Sequence, residues 1–442
     1  MKIKRILIAA FLLALTFLLS GCSKFGIEIQ DLITPPDPTG ELYEIRQALY
    51  SYAGEDITLR YPKSGNWRSA FIVEDIDLNG VEDALVFYST LSNEGTTIMH
   101  INLITNLEGR WVSVSDNEVE SSSIESVEFA DLNNDQIAEI IVCWKIPTST
   151  TDKLTVYNFS NGGLTQVINA DSTYYTVCNL NEGPENELVI IANNSIAKKA
   201  SATVYRIEKH GVINIGECPL DVETTEYYSA TLSKLADGRP ALYIDAAKST
   251  LGTVTEVIYI ADNGAPANMF VAEGEKINTQ TLRSSNARCY DVNEDGSLEV
   301  PLLKQLPSIR GTAQSDIVYL TEWHTCDLDL GLDYMVSCYM NYSDGYSFRV
   351  DNEWKGQITI ARNENLTERI FYEYSEDMAL ATHELFRIKA LPKKEYQTST
   401  DSYMDYFKIA TGEELVFLGK INPENKWRIN EDIIKTRFNF IK

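Results

Sequence analysis

Between Ile57 and about Ser343 the chain alternates apolar and polar residues with a period of two, in short runs broken by Gly, Asn and Asp. That period predicts half-buried strands and excludes a coil of stacked helices, which would need 3.6. The runs come in sets of four. The first set covers residues 70–76, 84–88, 97–104 and 110–114, with the turn Asn106-Leu107-Glu108-Gly109 between the last two. The second covers 124–130, 139–144, 153–159 and 164–169, and the third 174–178, 187–192, 202–207 and 212–217. A later set opens at Asn286 and takes 317–323 and 334–342 as its outer strands. Four short strands per unit of about fifty residues predict the blades of a β-propeller.

Before and after this region the pattern changes. Residues 41–56 hold one amphipathic helix, with Leu42, Ile45, Leu49 and Tyr52 at helical spacing and Thr39 as a cap. The repeats occupy 57–345, and the strand at 57–61 is expected to close the ring by joining the last blade. Residues 346–442 read as a small α/β C-terminal module. It has strands at 354–361, 368–374, 384–390 and 415–421, and a short helix at 402–409 with Tyr403, Tyr406 and Phe407 inward. Asn430 caps a final helix presenting Ile434, Phe438 and Ile441. The expected fold is therefore mainly β: about five four-stranded blades, with room for a sixth, then the α/β module.

Each set places a polar loop between its first two strands. The clearest copy is Asp131-Leu132-Asn133-Asn134-Asp135-Gln136-Ile137-Ala138-Glu139, with acidic or amide side chains at positions 1, 3, 5 and 9. Asp75, Asp77, Asn79 and Asp83 repeat the layout with Gly80 at position 6, and Asp291, Asn293, Asp295 and Glu299 repeat it with Gly296. Eroded copies run from Asn179 to Glu187 and from Ser233 to Ala241. The five starts lie 56, 48, 54 and 58 residues apart, which marks one structural unit used five times. Side chains at alternate positions of a tight loop converge on one point, and a hard cation such as Ca²⁺ wants six or more oxygens there. The same residues are also good hairpin formers that bond their own loop amides.

The layout resembles the FG-GAP or VCBS-type repeats of integrin α-subunit propellers and of many bacterial surface proteins. That resemblance spans residues 74–303 and implies structural Ca²⁺ at three of the loops. Carried over by position, the ligands are Asp75, Asp77, Asn79 and Asp83; Asp131, Asn133, Asp135 and Glu139; and Asp291, Asn293, Asp295 and Glu299. Gly183-Pro184 in the third copy, and Ser233 and Leu235 in the fourth, depart from the pattern, so those two blades are expected to be metal-free.

The first 22 residues change the picture of where the protein works. Lys2, Lys4 and Arg5 precede an apolar run at residues 6–19, followed by Ser20-Gly21-Cys22. This is the layout of an export signal, too short for a good membrane span. Leu19-Ser20-Gly21-Cys22 resembles the lipobox of bacterial lipoproteins, which implies lipidation at Cys22 and a mature chain beginning there. Residues 23–40, with Pro35, Pro36 and Pro38, then form an extended tether. The expectation is an exported protein held to the cell membrane through the lipid on Cys22 and facing outside the cytoplasm.

Net charge limits the partners. The whole chain carries −26, and removal of the signal leaves the mature chain at about −29. A charge that negative repels phosphate backbones and anionic lipid, excluding nucleic acid and confining bilayer contact to the anchor. Of the remaining cysteines, Cys143, Cys178 and Cys289 fall in strand-like apolar runs, while Cys326 and Cys338 could pair across a hairpin.

Catalytic motifs are weak. Ser195-Ile196-Ala197-Lys198 and Ser115-Asp116-Asn117 match two penicillin-recognising signatures but stand in reversed order with no third element, and we read both as coincidence. His100, His210, His324 and His383 form no metal-binding pair in sequence, and no nucleophile elbow, Walker loop or dinucleotide fingerprint occurs. The expectation is a non-enzymatic binding or scaffold module for a protein or glycan ligand at the cell surface; tyrosine clusters such as Tyr174-Tyr175 and Tyr227-Tyr228 offer contacts, but most are expected to serve core and cross-strand packing. The alternative is an envelope glycan-acting hydrolase or lyase with its site in the propeller channel.

Overall fold

The computed structural model describes residues 40–442 apart from Asn93, His210, Thr250, residues 309–311, 364–366 and 375–382, Lys426 and Lys442. The export signal, Cys22, the Thr39 cap and nearly all of the tether therefore lie outside the described residues.

Among the described residues, six antiparallel sheets follow one another. In the first, Thr58–Leu59 and Phe71–Glu74 both pair with Asp83–Leu91, followed by Thr97–Leu107 and Arg110–Glu120. The second runs Ser123–Ala130, Glu139–Lys145, Asp152–Ser160, Gly163–Ser172, and the third Tyr174–Cys178, Glu187–Asn194, Lys199–Glu208, Gly211–Pro219. The fourth runs Glu226–Lys234, Pro240–Ala247, Thr253–Ile260 and the short Pro266–Asn268. The fifth runs Val300–Gln305, Tyr319–Asp327, Gly331–Asn341, Tyr346–Val350, and gains Phe438–Phe440 as a further strand. The sixth is Ile358–Arg362, Glu368–Glu373, Glu384–Pro392, Leu415–Ile421 and Phe407–Thr411, in that spatial order.

The sheets are buried on both faces, and this explains their sequences. In Glu139–Lys145, Ile140, Val142 and Trp144 pack against the first sheet while Ile141 and Cys143 turn toward the third. A strand covered on both sides reads as a nearly continuous apolar run. Further cores join the third sheet to the fourth, the fourth to the fifth and the fifth to the sixth. A register shift recurs at equivalent places in the first three sheets, at Leu103/Ile104, Val156/Tyr157 and Val204/Tyr205. Such bulges raise the local twist and re-aim the outer strand. The arrangement is that of a β-propeller, mainly β, with the C-terminal residues supplying a sixth sheet.

Several boundaries differ from expectation. Residues 58–59 pair with Ser89 and Tyr88 in the first sheet, so they do not join the last blade. The break expected at 345/346 falls inside the fifth sheet, whose fourth strand is Tyr346–Val350. The sixth sheet shares a core with it through Phe348, Phe371, Phe386 and Phe417. Residues 402–409 form no single helix. A helix at Lys393–Thr398 and a 3-10 turn at Thr400–Tyr403 precede the strand Phe407–Thr411. The final helix, Glu431–Arg437, is capped as expected, the Asn430 Oδ1 accepting from the Ile433 amide at 3.0 Å, but it stops before Phe438.

The outer face of the first sheet is covered by helix Glu41–Ala53, whose Ile45 and Leu49 pack on Ala84, Val86, Tyr88 and Trp111. Gly40 and Gly54, at φ +66° and +83°, delimit that helix where the backbone turns left-handed. On the far side of the sixth sheet, Tyr396, Tyr403 and Tyr406 cover Leu391, Val416 and Leu418.

Candidate metal centre

The three intact loops share one backbone. Positions 4 and 6 are left-handed in each: Leu78 and Gly80, Asn134 and Gln136, Glu294 and Gly296. The carboxylate at position 1 holds that shape by accepting two amides. Asp75 takes those of Asn79 and Gly80 at 3.0 and 2.8 Å, Asp131 those of Asp135 and Gln136 at 3.2 and 3.0 Å, and Asp291 those of Asp295 and Gly296 at 3.1 and 2.8 Å. Positions 3 and 5 each accept the amide two residues on, as Asp77 does from Asn79 and Asn79 from Val81. The hairpin chemistry is thus present in full. It leaves each position-1 and position-3 oxygen a second lone pair for a cation.

Position 9 separates the loops. Its side chain starts the second strand, lies buried beneath the loop, and bonds the amide of position 2. Glu139 takes the Leu132 amide at 2.8 Å, Glu187 the Leu180 amide at 2.8 Å and Glu299 the Val292 amide at 2.9 Å. In the first loop the equivalent carboxylate is Asp83, 1% exposed, with its Oδ2 left without a hydrogen-bond partner. Oxygens of Asp75, Asp77 and Asp83 lie within 4.8 Å of one another. Burial lifts the Asp83 carboxyl above its ordinary value, and Asp77 and Asp75 add repulsion. A buried carboxyl with one unpartnered oxygen, set beside two more carboxylates, fits a hard dication.

The other loops meet the same burial differently. Glu139 has both oxygens engaged, the second by the Asn133 side-chain amide at 2.9 Å, and burial pushes it up to about 7. Glu299 keeps Oε1 unpartnered and is likewise pushed up to about 7 by burial, while Asn293 donates to Asp295 at 2.7 Å. Among the described residues, the first loop brings three carboxylates together and the loops at 131 and 291 do not. In the eroded third copy, Arg206 reaches Glu187 at 3.1 Å and supplies the positive charge itself. The fourth copy has Ala241 at position 9, and Ser233 accepts the Leu298 amide at 2.8 Å.

A second polar cluster escaped the sequence reading. His100 bonds Asp116 through Nδ1 at 2.8 Å and Thr90 through Nε2 at 2.9 Å, its ring stacked on Tyr88 at 4.3 Å. Asp116 also accepts from the Tyr88 hydroxyl and the Asn102 amide, each at 3.0 Å. The cluster lies on the helix-covered face of the first sheet, where strand register places His100 opposite Tyr88 and Glu118. Nothing in local sequence announces that pairing. A hydroxyl, an imidazole and a carboxylate in line can relay a proton.

The two penicillin-type motifs dissolve in the fold. Residues 195–198 form the turn after Glu187–Asn194, and Ser115 Oγ accepts the Leu164 amide at 3.0 Å. All six cysteines described are free thiols, so Cys326 and Cys338 are unbridged. Burial raises every one of them, as expected of inert core thiols.

No family model and no curated protein matches the sequence. Solved structures similar to the chain include a protein from Lactobacillus plantarum, at 9% identity and TM-score 0.27, covering 73% of this chain and 85% of that one. The Dos1 propeller is similar at 9% identity and TM-score 0.27, covering 71% and 79%. An exo-β-1,3-galactanase from Phanerochaete chrysosporium is similar at 8% identity and TM-score 0.24, covering 83% and 89%. Likenesses of this size carry no argument about activity.

Proposed function

We propose that the chain is a lipoprotein anchored through Cys22 on the outer side of the cell membrane, where its propeller serves as a non-enzymatic binding or scaffold module stiffened by calcium. The observation that carries the calcium reading is the convergence of Asp75, Asp77 and Asp83, with one Asp83 oxygen, Oδ2, buried and unpartnered. The loop layout, similar to that of FG-GAP and VCBS-type repeats, supports it. Bound there, Ca²⁺ neutralises three clustered carboxylates and ties the first hairpin to the floor of its loop. Asp75 and Asp77 would hold it from the loop and Asp83 from the strand below. Calorimetric melts of the purified protein in EDTA and in excess Ca²⁺ test this; superimposable curves for wild type and Asp83→Asn refute it. Fractionation tests the anchor: Cys22→Ser should move the protein from the membrane to the soluble fraction.

The Thr90–His100–Asp116 relay favours the second reading, an envelope hydrolase or lyase acting on glycans. That reading requires turnover of a polysaccharide or an ester that Thr90→Ala abolishes.

A further inference from the structure

The fourth and fifth sheets differ in width. The outer strand of the fourth is only Pro266–Asn268, whereas the fifth is extended by Phe438–Phe440. The part of the fifth sheet that overhangs its neighbour is walled by residues 286–294, leaving a cleft of about 770 Å³. Alternate residues of the fifth sheet face opposite ways. Tyr339, Tyr346 and Phe348 pack toward the sixth sheet, while Cys338, Met340 and Ser347 line the cleft. The size lies within the range of small-ligand sites.

Its chemistry is unlike the rest of this acidic molecule. Four aromatic residues line it: Trp323, buried at 2% exposure, with Tyr290, Tyr342 and Phe440 at 36%, 60% and 46%. The Trp323 and Tyr290 rings tilt together with centroids 6.4 Å apart. The Trp323 indole N–H is buried without an acceptor, and such groups are rarely left unmatched. Two exposed guanidiniums share the cleft. Arg288 lies over the Tyr228 ring at 4.9 Å and has no carboxylate partner among the described residues; Arg349 comes no nearer to one than 3.9 Å, to Asp351. At the loop end stand Glu294 and Asp291, the latter bonded to the amides of its own loop.

We propose that this cleft binds an oligosaccharide bearing carboxylates, a uronate chain, with its acidic groups toward Arg349 and Arg288. Aromatic faces suit the C–H faces of sugar rings, and a guanidinium fork matches a carboxylate two bonds at a time. Two exposed arginines, Arg288 with no carboxylate partner among the described residues and Arg349 only loosely paired with Asp351, favour an anionic ligand here in a chain of net charge −26. The proposal rests on the binding-module reading and names its site and ligand class.

Isothermal titration of the full chain in detergent, with oligogalacturonate, neutral galactan oligomers and a polyglutamate peptide, tests it. Oligogalacturonate should bind, the other two should not, and Tyr342→Ala and Arg349→Ala should each weaken binding about tenfold or more. Both positions are exposed, so neither variant threatens the fold. Absence of oligogalacturonate binding at millimolar concentration, equal binding by the variants, or equally tight binding of polyglutamate would each overturn the assignment. Cleavage of the oligosaccharide would instead overturn the non-enzymatic reading.

Discussion

The loop at Asp75–Asp83 and the loop at Asn179–Glu187 place a buried carboxylate in the same frame and compensate it in different ways. Both have a left-handed residue at position 4, Leu78 and Glu182, and a position-9 acid beneath the loop. In the first the acid faces two other carboxylates and keeps an unpartnered oxygen. In the third it is met by Arg206 from the next strand. The position-9 acid is therefore a structural staple before it is a ligand. Where a blade has its own cation, the loop acids become dispensable, and this accounts for Gly183 and Pro184 in the eroded copy.

The sharpest way to break the comparison is Arg206→Leu. It should strand the Glu187 charge, which is fully buried, and cost about 3–5 kcal/mol in urea unfolding. A loss below about 1 kcal/mol would mean that Glu187 needs no counter-charge and that the two loops do not differ in kind.

The fourth blade extends the comparison, since it lacks the position-9 acid but buries Glu256 one strand over. Burial pushes Glu256 up to about 7 from 4.5, and it accepts from the Asp221 amide and from Asn268. The folded state holds this proton more tightly than the unfolded one. The contribution is thus fully present below about pH 4.5 and is lost as pH rises through about 7, on the order of 3 kcal/mol in all. Urea midpoints at pH 5 and pH 8 should show that loss in wild type and a smaller one in Glu256→Gln; parallel profiles would refute it.

Calcium, as proposed for the first loop, would sharpen the contrast there. A tenfold excess over Kd adds about 1.4 kcal/mol by mass action. Asp83→Asn should abolish the upward shift in Tm, and Arg206→Leu should leave it intact.

The smallest expected effect concerns Gln136, which occupies at φ +77° the position held by Gly80 and Gly296 elsewhere. A left-handed L-residue costs about 1 kcal/mol, so Gln136→Gly should raise stability by up to that amount, and Gly80→Gln should lower it comparably. Differential scanning calorimetry resolves both.

The repeat was legible because a period of two and a fixed loop spacing are local properties of the chain. Asp75, Asp131 and Asp291 declare themselves by their neighbours. Arg206 did not, because it meets Glu187 only through the pairing of Glu187–Asn194 with Lys199–Glu208. The His100–Asp116 bond was hidden for the same reason, being set by register across two strands. The sixth sheet was obscured by its order, since Leu415–Ile421 inserts between Glu384–Pro392 and Phe407–Thr411. The strand at Phe438–Phe440 looked helical from its apolar spacing, yet it is claimed by an edge formed some ninety residues earlier.

That last pairing orders the events of biosynthesis. A ribosome delivers the chain from its N-terminus, so the first four sheets have every strand in hand while the fifth still shows an open edge at Tyr346–Phe348. Pairing with residues 438–440 closes that edge, and a chain cut before Phe438 would carry it uncovered, a row of unpaired amides and carbonyls open to proteases and chaperones.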